Sequence, residues 1–243
     1  MFGPNGPTLR ELAIQALSST RAGYDLLAPK FDHTPYRTSE SVLRAVADAV
    51  RPLGPFRAGL DVCCGTGAGV GVLRELCQER VTGVDFSAGM LDRARAAHTD
   101  ANGDAPELHW VCADARALPF GPPFDLAMSF GAFGHFLPAE RPLLFAGVHR
   151  ALRPGGRFVF PLPAPPPVGS LPYWELWAFD AAMRVRNLLW RPRFIMYYRT
   201  FQLTDVVAEL TRTGFTVELS PLEEFGRRPD GAPRCRLVTA LRP

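Results

Sequence analysis

The chain has 243 residues, of which 47% are hydrophobic, and its formal net charge at pH 7 is +3. This length and apolar content suit one large domain with a substantial core, with or without an insert. The charge is too small to indicate a nucleic-acid partner, and no apolar run reaches the length that spans a bilayer. The first residues lack the charged start and apolar core of a secretion signal, so we expect a cytoplasmic location.

Five cysteines are spread along the chain, at positions 63, 64, 77, 112 and 235. Their number is odd, and no two of them have the C-x-x-C spacing of a zinc site. We therefore expect buried, reduced thiols and no metal site.

Residues 1–56 precede the first predicted strand, and we predict that they form a helical cover or flap. Apolar periodicity predicts helices over 8–19 and 41–50, and Pro52 ends the second of them. An aromatic and polar stretch, 24–37, lies between the two helices. Stretches of this composition often form a flap over a site.

Residues 57–243 alternate between predicted strands and predicted helices. Strands are predicted at 58–63, 81–85, 108–112, 124–130, 157–161, 215–220 and 235–241, and helices at 69–79, 88–97, 139–151 and 204–213. This alternation is typical of a mostly parallel sheet covered by helices on both faces. Since only a turn-rich segment separates the last two strands, they should pair antiparallel. The predicted fold class is α/β, a doubly wound Rossmann-like sheet of seven strands, mostly parallel with an antiparallel last strand.

The segment at about 161–202 interrupts this alternation. It begins with five prolines between 161 and 167 and continues with an amphipathic stretch that is rich in tryptophan. Between 181 and 204 it carries five arginines and no acid. We expect a lid or substrate-facing insert at the carboxyl edge of the sheet. The alternative is a helical hairpin that only fills space.

The most informative segment is 60–69, with the sequence Leu-Asp-Val-Cys-Cys-Gly-Thr-Gly-Ala-Gly. A strand, a glycine turn and a helix follow one another here, an order that lets backbone approach a ligand closely. The pattern is not the G-x-G-x-x-G of dinucleotide-binding proteins, because Val70 and Val72 stand where its third glycine would fall. Asp61 precedes the glycines, where it would repel a pyrophosphate and attract an ammonium group. This favours S-adenosylmethionine over NAD; the alternative is an ordinary glycine-rich turn of an α/β fold.

Acidic side chains also follow the next two predicted strands. Asp85 lies 24 positions after Asp61 and could accept hydrogen bonds from both hydroxyls of a ribose. Asp114 follows the third strand and could accept from an exocyclic amine, with a backbone N–H beside it for a ring nitrogen. Each acid alone is more often a turn or N-cap residue. Suitable groups at four strand ends in chain order, with Phe130 after the fourth strand, favour a ligand site.

Five segments of the chain carry a resemblance to a known family. They are Leu-Asp-Val-Cys-Cys-Gly-Thr-Gly, Val-Asp-Phe-Ser-Ala-Gly-Met-Leu, Ala-Asp-Ala-Arg-Ala-Leu-Pro-Phe, Phe-Asp-Leu-Ala-Met-Ser-Phe and Leu-Arg-Pro-Gly-Gly-Arg-Phe, all between residues 58 and 161. In this order they resemble the class I S-adenosylmethionine-dependent methyltransferases, in the branch that includes ubiquinone-biosynthesis-like and other small-molecule enzymes. The resemblance implies an enzyme that transfers a methyl group to a small molecule and releases S-adenosyl-L-homocysteine.

The resemblance also implies a cofactor role for each matching residue. The methionine part would lie against Asp61, Cys63, Gly65, Thr66 and Gly67, with Asp61 near its amino group. The ribose would bind Asp85. The adenine would pack against Phe86 and Met90, and its edge would hydrogen-bond Asp114 and the N–H of Ala115. The backbone of Phe130 would lie beside the sulfonium. The family usually has glycine where Cys63 stands, and a side chain there could crowd the cofactor.

Catalysis by such a protein depends mainly on alignment, because a sulfonium is already an activated methyl donor. The acceptor must lie in line with the departing sulfur, in a dry pocket. A general base is needed only for a poorly acidic acceptor. His135 is the first candidate for this base, and His33 and Tyr36 are weaker candidates. The alternative for His135 is a packing role. The aromatic, arginine-bearing insert suggests a flat or anionic acceptor that contacts Arg193 and Trp190.

Three other functions stay open from the residues alone. The arginines of the insert permit an RNA or protein acceptor, although no RNA-binding appendage is recognisable. A non-catalytic methyltransferase-like binding protein is the second alternative. An NAD-binding oxidoreductase is the third and the least favoured, because of the missing glycine and the position of Asp61. The residues do not indicate an oligomeric state.

Overall fold

The computed structural model of the chain describes residues 5–99 and 105–243. Within these ranges seven strands form a single sheet with the order β3-β2-β1-β4-β5-β7-β6. The strands are β1 (Phe56–Val62), β2 (Cys77–Asp85), β3 (Glu107–Cys112), β4 (Phe124–Met128), β5 (Leu152–Pro163), β6 (Thr216–Pro221) and β7 (Cys235–Leu241). The first five run parallel, and β7 lies antiparallel between β5 and β6. This confirms the predicted fold class.

Eight α-helices surround the sheet in the described part of the chain. They are α1 (Leu9–Leu17), α2 (Thr20–Leu27), α3 (Glu40–Val50), α4 (Ala68–Leu76), α5 (Ala88–Ala97), α6 (Arg141–Ala151), α7 (Leu171–Leu189) and α8 (Leu203–Thr213). Five of them begin at a serine or threonine whose hydroxyl accepts a hydrogen bond from a first-turn N–H, namely Thr8, Ser19, Ser39, Ser87 and Ser170. Such caps satisfy N–H groups that the helix itself leaves unpaired.

The sheet separates two apolar cores. On one face Leu60 of β1 packs in a cluster with Phe145 of α6 and Leu210 of α8. On the other face Leu126 of β4 belongs to a cluster with Leu73 of α4. Because helices cover both faces, the central strands are buried on both sides and read as nearly continuous apolar runs.

The structure corrects several predicted boundaries. The helix predicted over 69–79 ends at Leu76, and β2 begins directly afterwards. Strand β5 starts at Leu152, five residues before the predicted strand. The stretch 24–37, expected to form a flap, contains the end of a helix that was not predicted, α2, and a 3₁₀ turn, Ala28–His33. A Cβ on Gly23 of α2 would lie 2.6 Å from the ring of Phe194, so tertiary packing outweighs the low helix propensity of glycine here.

The insert consists of α7 and a segment that folds back along it. Asp180 on α7 accepts hydrogen bonds from the backbone N–H groups of Tyr198 (2.8 Å) and Arg199 (3.1 Å). Asn187 exchanges two hydrogen bonds with the backbone of Phe194, at 2.8 and 2.9 Å. These contacts fix the backbone of 194–199. None of the described helices combines the length and the apolar composition needed to cross a bilayer.

Candidate functional site

One large cavity, of about 590 Å³, lies at the carboxyl ends of the parallel strands. The strand order reverses between β1 and β4, and this switch point is where open α/β sheets bind ligands. The cavity is lined by ten of the eleven predicted cofactor residues, Asp61, Cys63, Gly65, Thr66, Asp85, Phe86, Met90, Asp114, Ala115 and Phe130, and by His135. Residues from four different strand ends are thus brought to one place.

Gly67 is the predicted cofactor residue that does not line the cavity. Its backbone has φ of 92°, and an added Cβ would lie 2.8 Å from the ring of His98. The carbonyl of Gly67 is also 2.8 Å from Nε2 of that histidine. This glycine therefore shapes the turn between β1 and α4 through its contact with His98, and its position outside the cavity lining argues against the predicted direct contact with the cofactor.

Cys63 occupies a left-handed backbone conformation, with φ of 60°, which is uncommon for a residue other than glycine. This geometry fits the glycine that the resemblance implies at that position. Burial raises the pKa of the Cys63 thiol, so the side chain stays protonated and is a poor nucleophile. The five cysteines are all unpaired, and the expected burial is wrong for Cys112, which is exposed.

Asp61 is a buried carboxylate aimed into the cavity with no counter-charge. Neither oxygen has a partner at hydrogen-bond distance and angle among the described residues, and the backbone N–H of Val70 offsets its burial only in part. Burial, followed by the negative charge of Asp85, raises its pKa to about 8. A Cβ on Gly69 would lie 2.5 Å from the Asp61 carboxylate, so only glycine fits beside it. A ligand ammonium would supply the missing partner.

Replacing Asp61 with asparagine is expected to stabilise the ligand-free protein and to weaken cofactor binding. A raised pKa means that the folded state binds more protons than the unfolded state between about pH 4 and pH 8, so folding stability falls as the pH rises through this window. The variant should therefore gain on the order of 2 kcal/mol over wild type at pH 8 and little at pH 4, as measured by chemical denaturation.

The same variant should bind S-adenosylhomocysteine at least about tenfold more weakly at pH 8, because the ammonium loses its carboxylate. Wild-type affinity should rise between pH 6 and pH 7.5 by up to about tenfold per pH unit, as the carboxyl ionises. Asp48→Asn, an exposed acid on α3, is the control. A flat pH dependence of wild-type binding would contradict an ionised Asp61 in the complex.

Asp85 holds the glycine loop and faces the cavity at the same time. Its two oxygens accept from the backbone N–H groups of Gly65 and Ser87, each at 2.9 Å. Burial raises its pKa, and these hydrogen bonds oppose that shift. The remaining lone pairs of the carboxylate are suited to accept from ribose hydroxyls.

Asp114 is held by a residue that the sequence did not single out. Nε of Arg116 lies 3.0 Å from both carboxylate oxygens of Asp114, and Arg116 also pairs with Glu140. The Arg116 guanidinium holds the pKa of Asp114 below its usual range, so this acid stays ionised. It can still accept from an exocyclic amine, because a carboxylate has about four acceptor positions.

His135 forms the centre of a buried polar chain. Its Nδ1 lies 2.7 Å from the carbonyl oxygen of Ile195, and its Nε2 lies 2.8 Å from the hydroxyl of Tyr24. Because a carbonyl only accepts, Nδ1 carries the proton and Nε2 is the acceptor. Burial lowers the pKa of His135 and raises that of Tyr24, so the histidine is neutral and the phenol protonated. The sequence predicted His135 and missed Tyr24.

Two acids of the first 56 residues contact the loops that carry the predicted cofactor residues. Asp25 accepts from the hydroxyl of Ser87 at 2.6 Å and from the N–H of Gly89 at 3.1 Å. Asp32 accepts from the hydroxyl of Thr66 at 2.6 Å. The segment before β1 is therefore hydrogen-bonded to both the β1–α4 and the β2–α5 connections.

The insert contributes apolar and aromatic side chains to the cavity rather than cations. Of the residues that line the cavity, those from the insert are Ile195, Met196, Tyr197, Tyr198 and Phe201. The five insert arginines, 184, 186, 191, 193 and 199, are absent from the lining, as is Trp190, whose Nε1 donates to the carbonyl of Leu17. This geometry argues against the hypothesis that Arg193 and Trp190 contact the acceptor.

Known proteins that are similar to this chain are methyltransferases, in agreement with the geometry of the cavity. Residues 60–156 match a family described as a methyltransferase domain. The chain is 35% identical over 107 residues to an uncharacterized methyltransferase of Synechocystis sp., covering 44% of this chain and 47% of that relative. It is 28% identical over 166 residues to the 2-phytyl-1,4-naphtoquinone methyltransferase of Thermosynechococcus vestitus, and this match covers 66% of this chain and 72% of that relative. The chain thus spans about half the length of the first relative.

A solved structure shares the fold. The magnesium protoporphyrin IX methyltransferase of Synechocystis, with bound S-adenosylhomocysteine, aligns with a TM-score of 0.57 and 16% identity, over 84% of this chain and 82% of that protein. The sheet order, the unpartnered Asp61 and the family match agree on S-adenosylmethionine as the cofactor. Residues 60–156 therefore match the methyltransferase-domain family, and the described chain has the fold of the class I S-adenosylmethionine-dependent methyltransferases.

Proposed function

We propose that this chain methylates a small, flat and largely uncharged acceptor, with S-adenosylmethionine as the methyl donor. The observation that carries the proposal is one continuous cavity that contains both the predicted cofactor residues and a separate aromatic wall near His135. Both reactants would therefore lie in the same enclosed space, as in-line transfer requires.

The chain's own groups divide the cofactor between them. Asp61 would bind the amino group, Asp85 the ribose hydroxyls, and Asp114 with the N–H of Ala115 the adenine edge. Phe86 and Met90 would pack against the adenine, Gly65 and Thr66 would border the methionine part, and the backbone of Phe130 would lie beside the sulfur. When bound, the cofactor supplies an electrophilic methyl group on a sulfonium.

The acceptor side of the cavity is largely apolar, and acids compensate the cations that line it. It is lined by aromatic and thioether side chains, including Tyr36, Phe136, Met196, Tyr198 and Phe201. Two arginines also line the cavity, and acids pair with both of them. Arg37 lies 2.8 Å from Glu40 and 3.6 Å from Asp32, and Arg116 pairs with Asp114 and Glu140. Since the cations are neutralised, we favour an uncharged acceptor over the anionic one that the insert suggested.

Tyr24 and His135 would handle the acceptor's proton. Both line the cavity, and Nε2 of His135 accepts from the Tyr24 hydroxyl. An acceptor hydroxyl or amine that donates to the Tyr24 oxygen could lose its proton as Tyr24 passes its own to His135. The carbonyl of Ile195 keeps the imidazole in the tautomer that this relay needs. A general base of this kind contributes roughly 10²- to 10⁴-fold.

The proposal is tested by calorimetry and turnover with the full chain. S-adenosylhomocysteine should bind and NAD should not. In an acceptor screen that detects S-adenosylhomocysteine release, uncharged phenols and hydroxynaphthalenes should turn over, and tricarboxylates and short RNAs should not. Preferential turnover of tricarboxylates or RNA would contradict the acceptor class. Tight cofactor binding with no turnover in the whole screen would favour a non-catalytic binding protein.

A further inference from the structure

The helix α7 exposes many apolar side chains, although its buried side already holds an apolar residue, Met183, together with two polar ones. Its inward side carries Asp180 and Asn187, which hydrogen-bond the backbone of 194–199. Its outward side is a nearly uninterrupted apolar surface, here called the outer face of α7: Leu171, Trp174, Trp177, Ala178, Ala182, Val185, Leu188 and Leu189. All eight residues are exposed.

The outer face of α7 is continuous along the whole helix. Six of its members recur at intervals of three or four residues from Leu171 to Leu189, which places them in one stripe on a helix of 19 residues. Leu188 and Leu189 are 79% and 77% exposed. Contiguous apolar surface of this extent, unlike single exposed leucines, marks an interaction site.

The apolar surface continues past the end of the helix. Trp190 is 51% exposed, and its Nε1 donates to the carbonyl of Leu17 at the end of α1. Leu17 and Ile14 of α1 are themselves exposed. Three of the chain's four tryptophans, at 174, 177 and 190, therefore lie on this one side of the molecule.

Exposed cations border the outer face of α7, and acids are nearly absent from it. Arg184 on the helix and Arg191 and Arg193 just beyond its end are exposed, and Glu175 is the one exposed acid between 171 and 204. Tryptophan and leucine flanked by arginine is the composition of helices that lie in the interface of a bilayer containing anionic lipids. Indole rings favour that depth because one edge is polar.

Other occupants fit this surface less well. A second copy of the chain, paired through the same face, would bring six of these arginines against two copies of Glu175, which is electrostatically unfavourable. A nucleic acid would satisfy the arginines and could stack on tryptophan. It would leave Leu171, Leu188 and Leu189 without a role.

We propose that the outer face of α7 docks the protein on the surface of an anionic lipid bilayer, with the helix parallel to the membrane plane. The apolar stripe would enter the boundary between headgroups and acyl chains to about 5–10 Å. The three arginines would bind lipid phosphates. This surface lies outside the described cavity lining, so the proposal does not depend on the identity of the methyl acceptor.

Vesicle binding tests the proposal on the full chain. Wild-type protein should co-sediment with vesicles of 70% phosphatidylcholine and 30% phosphatidylglycerol, much less with phosphatidylcholine alone, and less at high salt. Tryptophan fluorescence should shift to the blue on binding, since three of four tryptophans report on this face. Arg191→Gln with Arg193→Gln should weaken binding by about thirtyfold. Leu188→Ser with Leu189→Ser should weaken it at least about tenfold.

A matched control uses an apolar and a basic residue that are exposed elsewhere. Leu143→Ser on α6 with Arg212→Gln on α8 should bind vesicles as wild type does. All variants should keep wild-type thermal unfolding and S-adenosylhomocysteine affinity, since each altered side chain is exposed. No binding to anionic vesicles, or equal binding by the leucine variant, would overturn the proposal. A wild-type dimer that the leucine variant converts to a monomer, or RNA binding lost in both variants, would assign the face to that partner instead.

Discussion

Replacing Asp85 with alanine should weaken the binding of S-adenosylhomocysteine by at least about a hundredfold. The substitution removes a carboxylate proposed to accept from two ribose hydroxyls, and each charge-assisted hydrogen bond is worth roughly 1.5–3 kcal/mol. It also leaves the N–H groups of Gly65 and Ser87 without their acceptor, although these groups shape the two loops around the cofactor. Titration calorimetry at pH 7.5 measures the loss directly.

A second variant separates binding from folding in this experiment. Asp85→Asn keeps one carbonyl acceptor for a loop N–H, so it should unfold closer to wild type than the alanine variant does while still losing at least about tenfold in affinity. Asp92→Ala on α5, an exposed acid paired only with Arg95, should bind as wild type. Unchanged affinity in Asp85→Ala would contradict the whole assignment of the cofactor to this cavity.

Replacing His135 with asparagine should lower kcat by roughly 10²- to 10³-fold with a poorly acidic acceptor. An asparagine amide can still donate to the carbonyl of Ile195 as Nδ1 does, but it offers no base at the position of Nε2. Cofactor affinity should stay near wild type, because the loss concerns the proton and not the methyl donor. Tyr24→Phe should lower kcat as well, since it removes the hydroxyl bonded to Nε2.

The pH profile distinguishes a base from a packing residue. A base must be neutral, and burial lowers the pKa of His135, so wild-type kcat should hold to a more acidic pH than an exposed histidine would allow and fall only below that. In the His135→Asn variant, kcat should not show this fall at acidic pH. His109→Asn, an exposed histidine on β3 outside the cavity lining, is the control. A small kcat effect that is equal at every pH would leave His135 with a structural role.

The residues at the sheet edge were predictable because two simple regularities place them. Parallel strands end at one edge, and the acids Asp61, Asp85 and Asp114 each lie within two residues of the C-terminal end of a strand. The strand order alone is therefore enough to predict that these three acids lie close together. The glycine loop was predictable in outline, but the position of Gly67 behind it depends on His98, 31 residues away, which no local pattern indicates.

The contacts that cross the fold were not predictable in the same way. Tyr24 meets His135 across 111 residues, and an aromatic residue in a polar stretch carries no sign of that partner. The position of the insert arginines was not predictable for a related reason. Its arginines were expected at the substrate, whereas Arg186 and Arg199 bond to the protein itself and Arg193 faces outward. Composition alone does not tell which side of a helix faces the fold.

The exposure of Cys112 has a practical consequence. The other four cysteines are buried or half-buried, whereas Cys112 is accessible and its Sγ lies 3.7 Å from the carbonyl oxygen of Phe86 on the cavity wall. A maleimide dye at low stoichiometry should therefore attach mainly at this position in the unaltered chain. Such a fluorophore would report occupancy of the adenine end in real time, and it would give stopped-flow rates of ligand arrival and departure without any engineered label site.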